Sequence, residues 1–287
     1  MAPSPVTSSA HAPGGPADRP ARPARGLLAV WDRHAVAADL ADALAKDELR
    51  LHRQPIVDAT DGVLVGYEVL VRWRHPLRGL LAPQSFLEVA RECGMAATLD
   101  AWVVRRACAE AATWTGVEAH LPVSVNLSAG HLADRAAVDM VAAACTDTGL
   151  APARLILEIT ETSLVPSATR GAAVLTELRA LGVQVSLDDF GTGHSSLARL
   201  RALPVDEIKI DQSFVRELPG AAVDVAIVRA LVALAHELGV GVVAEGVETG
   251  EQRDALLALG CPRMQGFLFG HPVPVRPSAI PVQRPTS

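Results

Sequence analysis

The chain has 287 residues, with 26 Lys and Arg against 32 Asp and Glu, a formal net charge of −6. Hydrophobic residues make up 49% of it, which excludes global disorder, and the length allows one large domain or two small ones. An acidic chain with ten aromatics (5 Phe, 4 Trp, 1 Tyr) lacks both the charge and the stacking platform of a nucleic-acid binder, so no DNA or RNA partner is expected.

Residues 1–26 are rich in proline and alanine and read as a disordered leader. Residues 272–287 are again proline-rich and read as a flexible tail. The stretch between, residues 27–271, is close to the ~250 residues of a (β/α)₈ barrel. No apolar signal segment opens the chain. The most apolar stretch, Ala221 to Ala244, is interrupted by Asp224, Arg229, His236 and Glu237, so no membrane span is expected. Cys93, Cys108, Cys145 and Cys261 contain no CxxC pair and read as four buried free thiols in a reducing cytoplasm.

In chain order, short aliphatic runs predict strands at Pro122–Asn126, Leu155–Glu158, Val183–Asp188, Glu207–Asp211 and Val240–Glu245. Helical spacing appears between them. Val174, Leu175, Leu178 and Leu181 form one face, and Ile227, Leu231, Leu234 and Leu238 form another. Glu251 to Leu259 is a third predicted helix. Strands alternating with helices indicate a parallel sheet, and strands this apolar indicate burial on both faces.

The polar residues fall at the ends of those runs: Asn126, Glu158, Asp188 with Asp189, Lys209 with Asp211, and Glu245. In a parallel barrel the carboxyl ends of the strands converge on one face and build the active site. Helix capping would explain an Asp or Asn there, but not Glu and Lys at successive runs. Carboxylates so packed repel one another unless a cation lies among them, and an all-oxygen set suits Mg²⁺ or Mn²⁺. Asp188 and Asp189 are neighbours on a strand, so both reach one site only if the chain bends; Gly191 and Gly193 would ease that bend. Nine histidines include no HExxH and no His-Asp doublet.

Motifs along the chain sharpen this. They include Gln54-Pro-Ile-Val, Gly66-Tyr-Glu-Val-Leu-Val-Arg-Trp73, Val125-Asn-Leu-Ser128 and Leu157-Glu-Ile-Thr-Glu161. Asp188-Asp-Phe-Gly-Thr-Gly-His-Ser-Ser-Leu197, Leu203-Pro-Val-Asp-Glu-Ile-Lys-Ile-Asp211, Ala244-Glu-Gly-Val-Glu-Thr249 and Gln265-Gly-Phe-Leu-Phe269 follow. In order and spacing the chain resembles the EAL-domain family of cyclic di-GMP phosphodiesterases, from about Leu49 to about Gly270.

The resemblance implies a modified α/β (β/α)₈ TIM-type barrel with an antiparallel first strand. It also implies hydrolysis of cyclic di-GMP to linear pGpG with Mg²⁺ or Mn²⁺, two ions in all. By position, Glu68, Asn126, Glu158 and Asp188 resemble the ligands of one ion, and Asp188, Asp189 and Glu245 those of the second. Lys209 resembles the residue beside the attacking water, and Gln265 one that holds water or phosphate. Gln54, Leu70 and Arg72, together with Glu68 and Asn126, resemble substrate-binding residues. Glu161 resembles a glutamate that anchors the loop Phe190 to Ser196, although a helix cap explains it equally well. A homodimer follows by the same analogy. Asp211 either pairs with Lys209 or ends its strand.

Two departures stand out. The signature Glu-Ala-Leu reads Glu68-Val69-Leu70, which puts two extra methyls on the packing side, a perturbation of about 1–3 kcal/mol unless neighbours yield. His194 stands where an aromatic is common. Two other readings stay open: a catalytically silent EAL domain serving as receptor or interaction module, and a phosphodiesterase for another cyclic nucleotide.

Overall fold

The computed structural model describes residues 33–128, 135–160, 168–191 and 203–275. The leader, Glu161, His194 and most of the Phe190–Ser196 loop lie outside these residues.

A helix, α1 (Arg33–Ala45), precedes a long hairpin of β1 (Leu49–Asp58) and β2 (Val63–His75). Six shorter strands complete the wall: β4 (Val123–Asn126), β5 (Leu155–Thr160), β6 (Gln184–Phe190), β7 (Glu207–Ile210), β8 (Gly241–Ala244) and β9 (Arg263–Gln265). From β2 through β4 to β9 each pairs in parallel with the next. β1 pairs antiparallel with both β2 and β9 and closes a barrel of eight strands. The expected antiparallel first strand is therefore present. Two short strands sit outside the wall: β3 (Gly79–Leu81) on β2 and β10 (Val273–Pro274) on β1. Paired structure thus continues past residue 271, where the flexible tail was expected to begin.

Outward residues of the strands pack beneath helices. Leu155, Leu157 and Ile159 on β5 and Ile208 and Ile210 on β7 are all buried. The helix Ala168–Ala180 lays Val174, Leu175 and Leu178 into the core as expected, while Leu181, past its end, is exposed. For the helix Ala222–Leu238 the expected face is rotated. Val228 and Ala235 are buried, with Leu231 and Val232 packed beside them, whereas Leu238 is 38% exposed. The helix is apolar on most sides, so spacing alone could not choose the inward stripe. Cys93 also departs from expectation. It ends the short helix Leu87–Glu92 and is exposed, while the other three thiols are buried.

Candidate active site

Alternation along the strands carries the inward residues to one end of the barrel. Gln54 lies opposite Glu68 in the β1–β2 ladder, and Asn126 lies beside Glu158 in the β4–β5 ladder. Lys209, on β7, is 1% exposed and forms ion pairs with Glu158 at 2.9 Å, Glu68 at 3.4 Å and Glu245. Asn126 Nδ2 donates to Glu68 Oε1 at 2.8 Å, and Gln265 Nε2 donates to Glu68 Oε2 at 2.6 Å and to Gln54 Oε1 at 3.1 Å. Seven of the expected residues thus meet in one network: Gln54, Glu68, Asn126, Glu158, Lys209, Glu245 and Gln265.

Glu245 and Gln265 are placed by a close backbone crossing. Val247 N–H donates to Gln265 C=O at 3.1 Å. A Cβ on Gly266 would stand 2.0 Å from the Val247 carbonyl oxygen, and one on Gly246 (φ +69°) 2.4 Å from Gln212 Cβ. Only glycine fits at either position. Just beyond, Thr249 and Gln252 form a reciprocal capping box that starts the helix Gly250–Ala258, fixing the chain that follows Glu245.

The bend expected at Asp188–Asp189 is real, and Asp189 itself carries it. The β6–β7 register shifts between Leu187 and Phe190, and Asp189 has φ +55°. Asp tolerates the left-handed region at a cost of roughly 1 kcal/mol, and its N–H donates to Asp188 Oδ1 at 2.9 Å. The bulge lets both side chains serve the same mouth. Asp211 caps the short helix Gln212–Val215 through Ser213 N and also interacts with Asp189, so it borders the site rather than pairing with Lys209.

Leu70 and Arg72 follow Glu68 on the inward face of β2. Arg72 donates to the Val71 carbonyl at 2.9 Å and senses the Glu68 charge without bonding to it. Two further inward residues were missed by the sequence reading. Glu207, one layer below Lys209, is buried against Ser186 (3.1 Å) and Arg263 (3.5 Å). His52, two residues before Gln54, shares its face of β1. The i, i+2 spacing was the available signal for both.

One lysine cannot offset so many buried carboxylates. Burial, then the Glu68 charge, drives Glu158 well above its usual range despite Lys209. Burial pushes Glu245 up to about 8 and Asp189 to about 6, and it raises Asp188 as well. Burial also opposes ionised Glu68, but Lys209 and the amides of Gln265 and Asn126 outweigh it and hold that carboxyl low. Burial works against the Lys209 ammonium, yet Glu158, Glu245, Glu68 and Asp188 together keep it protonated far above the ordinary lysine range.

Two acceptors in this cluster, Glu158 Oε1 and Gln265 Oε1, are buried without a hydrogen-bond partner. A buried acceptor in that state calls for a cation or a donor. Together with the donor set of carboxylates and amide oxygens, this fits a hard divalent ion. Among the described residues no three carboxylates stand in ligand geometry, and the Lys209 ammonium pairs with Glu68, Glu158 and Glu245.

The family model for the EAL domain matches residues 37–272. This chain belongs to the EAL domain family. The EAL domain is 44% identical over 237 residues to the bifunctional diguanylate cyclase/cyclic di-GMP phosphodiesterase MucR of Pseudomonas aeruginosa, covering 82% of this chain and 35% of that protein. It is 45% identical over 239 residues to the cyclic di-GMP phosphodiesterase NbdA of the same organism, covering 83% and 30%. It resembles the solved PaMucR phosphodiesterase in complex with c-di-GMP, with a TM-score of 0.80, 44% identity, and coverage of 84% of this chain and 98% of that one. The chain therefore spans about a third of the length of these two curated relatives.

Proposed function

We propose that this EAL domain is a metal-dependent phosphodiesterase that hydrolyses cyclic di-GMP to linear pGpG. The observation that carries the reading is a buried lysine ringed by glutamates from β2, from β5 and from just after β8, beside a glutamate oxygen with no partner. Relatives named for this activity are 44% and 45% identical to the chain over the 237 and 239 residues aligned.

Glu68, Asn126, Glu158 and Asp188 would hold one Mg²⁺ or Mn²⁺, and Asp188, Asp189 and Glu245 a second. When bound, the ions supply Lewis-acid polarisation of the phosphate and acidify water. The chain's own groups do the rest. The Lys209 N–H donors would meet the attacking water and the charge developing on the phosphate oxygens. Beside these glutamates, which hold its ammonium protonated, Lys209 serves as a cation and donor. Gln265, with an unpaired oxygen, orients water at the same centre. Gln54, Leu70 and Arg72 line the wall that meets the dinucleotide, and the Arg72 fork suits guanine or phosphate acceptors. The water oxygen bonds to phosphorus, the P–O3′ bond breaks, and the departing oxygen takes up a proton.

No described helix is long and apolar enough to cross a membrane. Three buried thiols, all free, fit our proposal of a cytoplasmic protein. A homodimer is proposed on family resemblance alone. The test incubates the purified chain with cyclic di-GMP and either ion and looks for pGpG; Glu68→Ala, lacking a ligand, should release none. Tight binding with no product in either metal would make the domain a receptor instead.

A further inference from the structure

His52 belongs to no part of the carboxylate network, yet it shares the cleft. The β1–β2 ladder sets it opposite Leu70, between the Gln54–Glu68 pair and the Arg50–Arg72 pair. It is 8% exposed. Its Nδ1 lies 3.3 Å from the Pro272 carbonyl oxygen, in the segment that Gln54 also holds through Gly270 O at 3.1 Å. A carbonyl only accepts, so this contact requires the ring hydrogen on Nδ1. Burial and the Arg72 guanidinium both push the imidazole below its ordinary pKa, so at neutral pH it carries that hydrogen alone. Nε2 is left with a bare lone pair, and no described residue donates to it. A neutral acceptor and a guanidinium donor therefore stand side by side, one inward-facing ladder step beyond the Gln54–Glu68 pair.

We propose that His52 is a specificity-determining residue whose Nε2 accepts the N1–H of a guanine base while Arg72 meets that base's O6 and N7. Adenine keeps the N7 acceptor but reverses the groups at positions 1 and 6. It offers a bare N1 to the lone pair of His52 and an amino group to the donors of Arg72. Leaving polar groups unpaired in this way is an effective means of rejecting a competitor. The inference rests on the reading of cyclic di-GMP as substrate and deepens it, by assigning the preference for guanine to a residue outside the signature motifs.

The experiment compares dissociation constants for cyclic di-GMP and cyclic di-AMP in calcium, whose longer and looser coordination slows turnover relative to magnesium. Two variants separate reading from packing. His52→Asn keeps an N–H for Pro272 and loses the acceptor; His52→Gln places an amide oxygen near the Nε2 position and loses the Pro272 bond. The wild type should prefer cyclic di-GMP by at least about tenfold, at the low end of what one good base-edge pair supplies. His52→Asn should lose about tenfold of that preference, and His52→Gln should retain it. In the wild type, the ¹⁵N signal of the unprotonated His52 nitrogen should shift on adding cyclic di-GMP and stay put with cyclic di-AMP, a readout that needs no variant to fold. An unchanged preference in His52→Asn, an equal loss in both variants, or a silent ¹⁵N signal would overturn the proposal. Absence of pGpG from the wild type in Mg²⁺ or Mn²⁺, with the guanine preference intact, would instead defeat the phosphodiesterase reading and leave this one standing.

Discussion

Lys209 keeps its charge where burial alone would strip it, because three glutamates and Asp188 surround it. Removing it leaves those carboxylates to repel one another. Lys209→Met should still bind metal but lose at least about 10²-fold in turnover, the scale of one donor aimed at developing charge; near-normal turnover would remove Lys209 from the mechanism. The protons on its partners make a second prediction. Folded Glu245 holds its proton up to about 8, whereas an unfolded glutamate releases it near ~4.3. Between those values the folded chain binds more protons than the unfolded one, so its stability falls as pH rises. Glu158, Asp188 and Asp189 are raised too and act in the same direction. Melting curves in EDTA should therefore show Tm falling from pH 6 to pH 8.5, and Mg²⁺ should restore more of it at the higher pH. A metal-free Tm that rises over that window would contradict this protonation pattern.

At the scale of elements, the strand ends were legible because strands buried on both faces read as aliphatic runs, so a charged residue closing each one stands out. β9 was not legible. Arg263–Gln265 has no β-branched residue, and pairing with β8 on one side and β1 on the other makes it a strand. The inward stripe of Ala222–Leu238 and the left-handed turn at Asp189 likewise follow from packing, not from local preference. Val69 was expected to face packing, and it does, at 2% exposure between Arg53 and Val125 in the ladders. Val69→Ala should lower stability by about 2 kcal/mol, roughly two buried methyls, with metal affinity and turnover unchanged. Urea unfolding checks this. A more stable variant would mean that valine overfills the site.

At the scale of the molecule, the net charge of −6 acquires a location. Glu68, Glu158, Asp188, Asp189 and Glu245 with Lys209 account for −4 of it, concentrated at one end of the barrel. Composition alone argued against a polyanionic partner. On the proposed reading, divalent ions among these carboxylates would let an acidic chain hold an anionic dinucleotide. Motifs spread over more than two hundred residues identified this site because the barrel brings distant strand ends together, as Glu68, Glu158 and Lys209 show. His52, which belongs to no motif, and Glu207, whose motif drew attention to Lys209 instead, needed the fold to reveal them. The central claim is that this cluster directs water onto one phosphodiester of cyclic di-GMP. Hydrolysis in ¹⁸O-labelled water with Mg²⁺, followed by mass spectrometry, tests it most directly. The account predicts pGpG carrying a single heavy oxygen on its 5′-phosphate; no product, or product without the label, would contradict it.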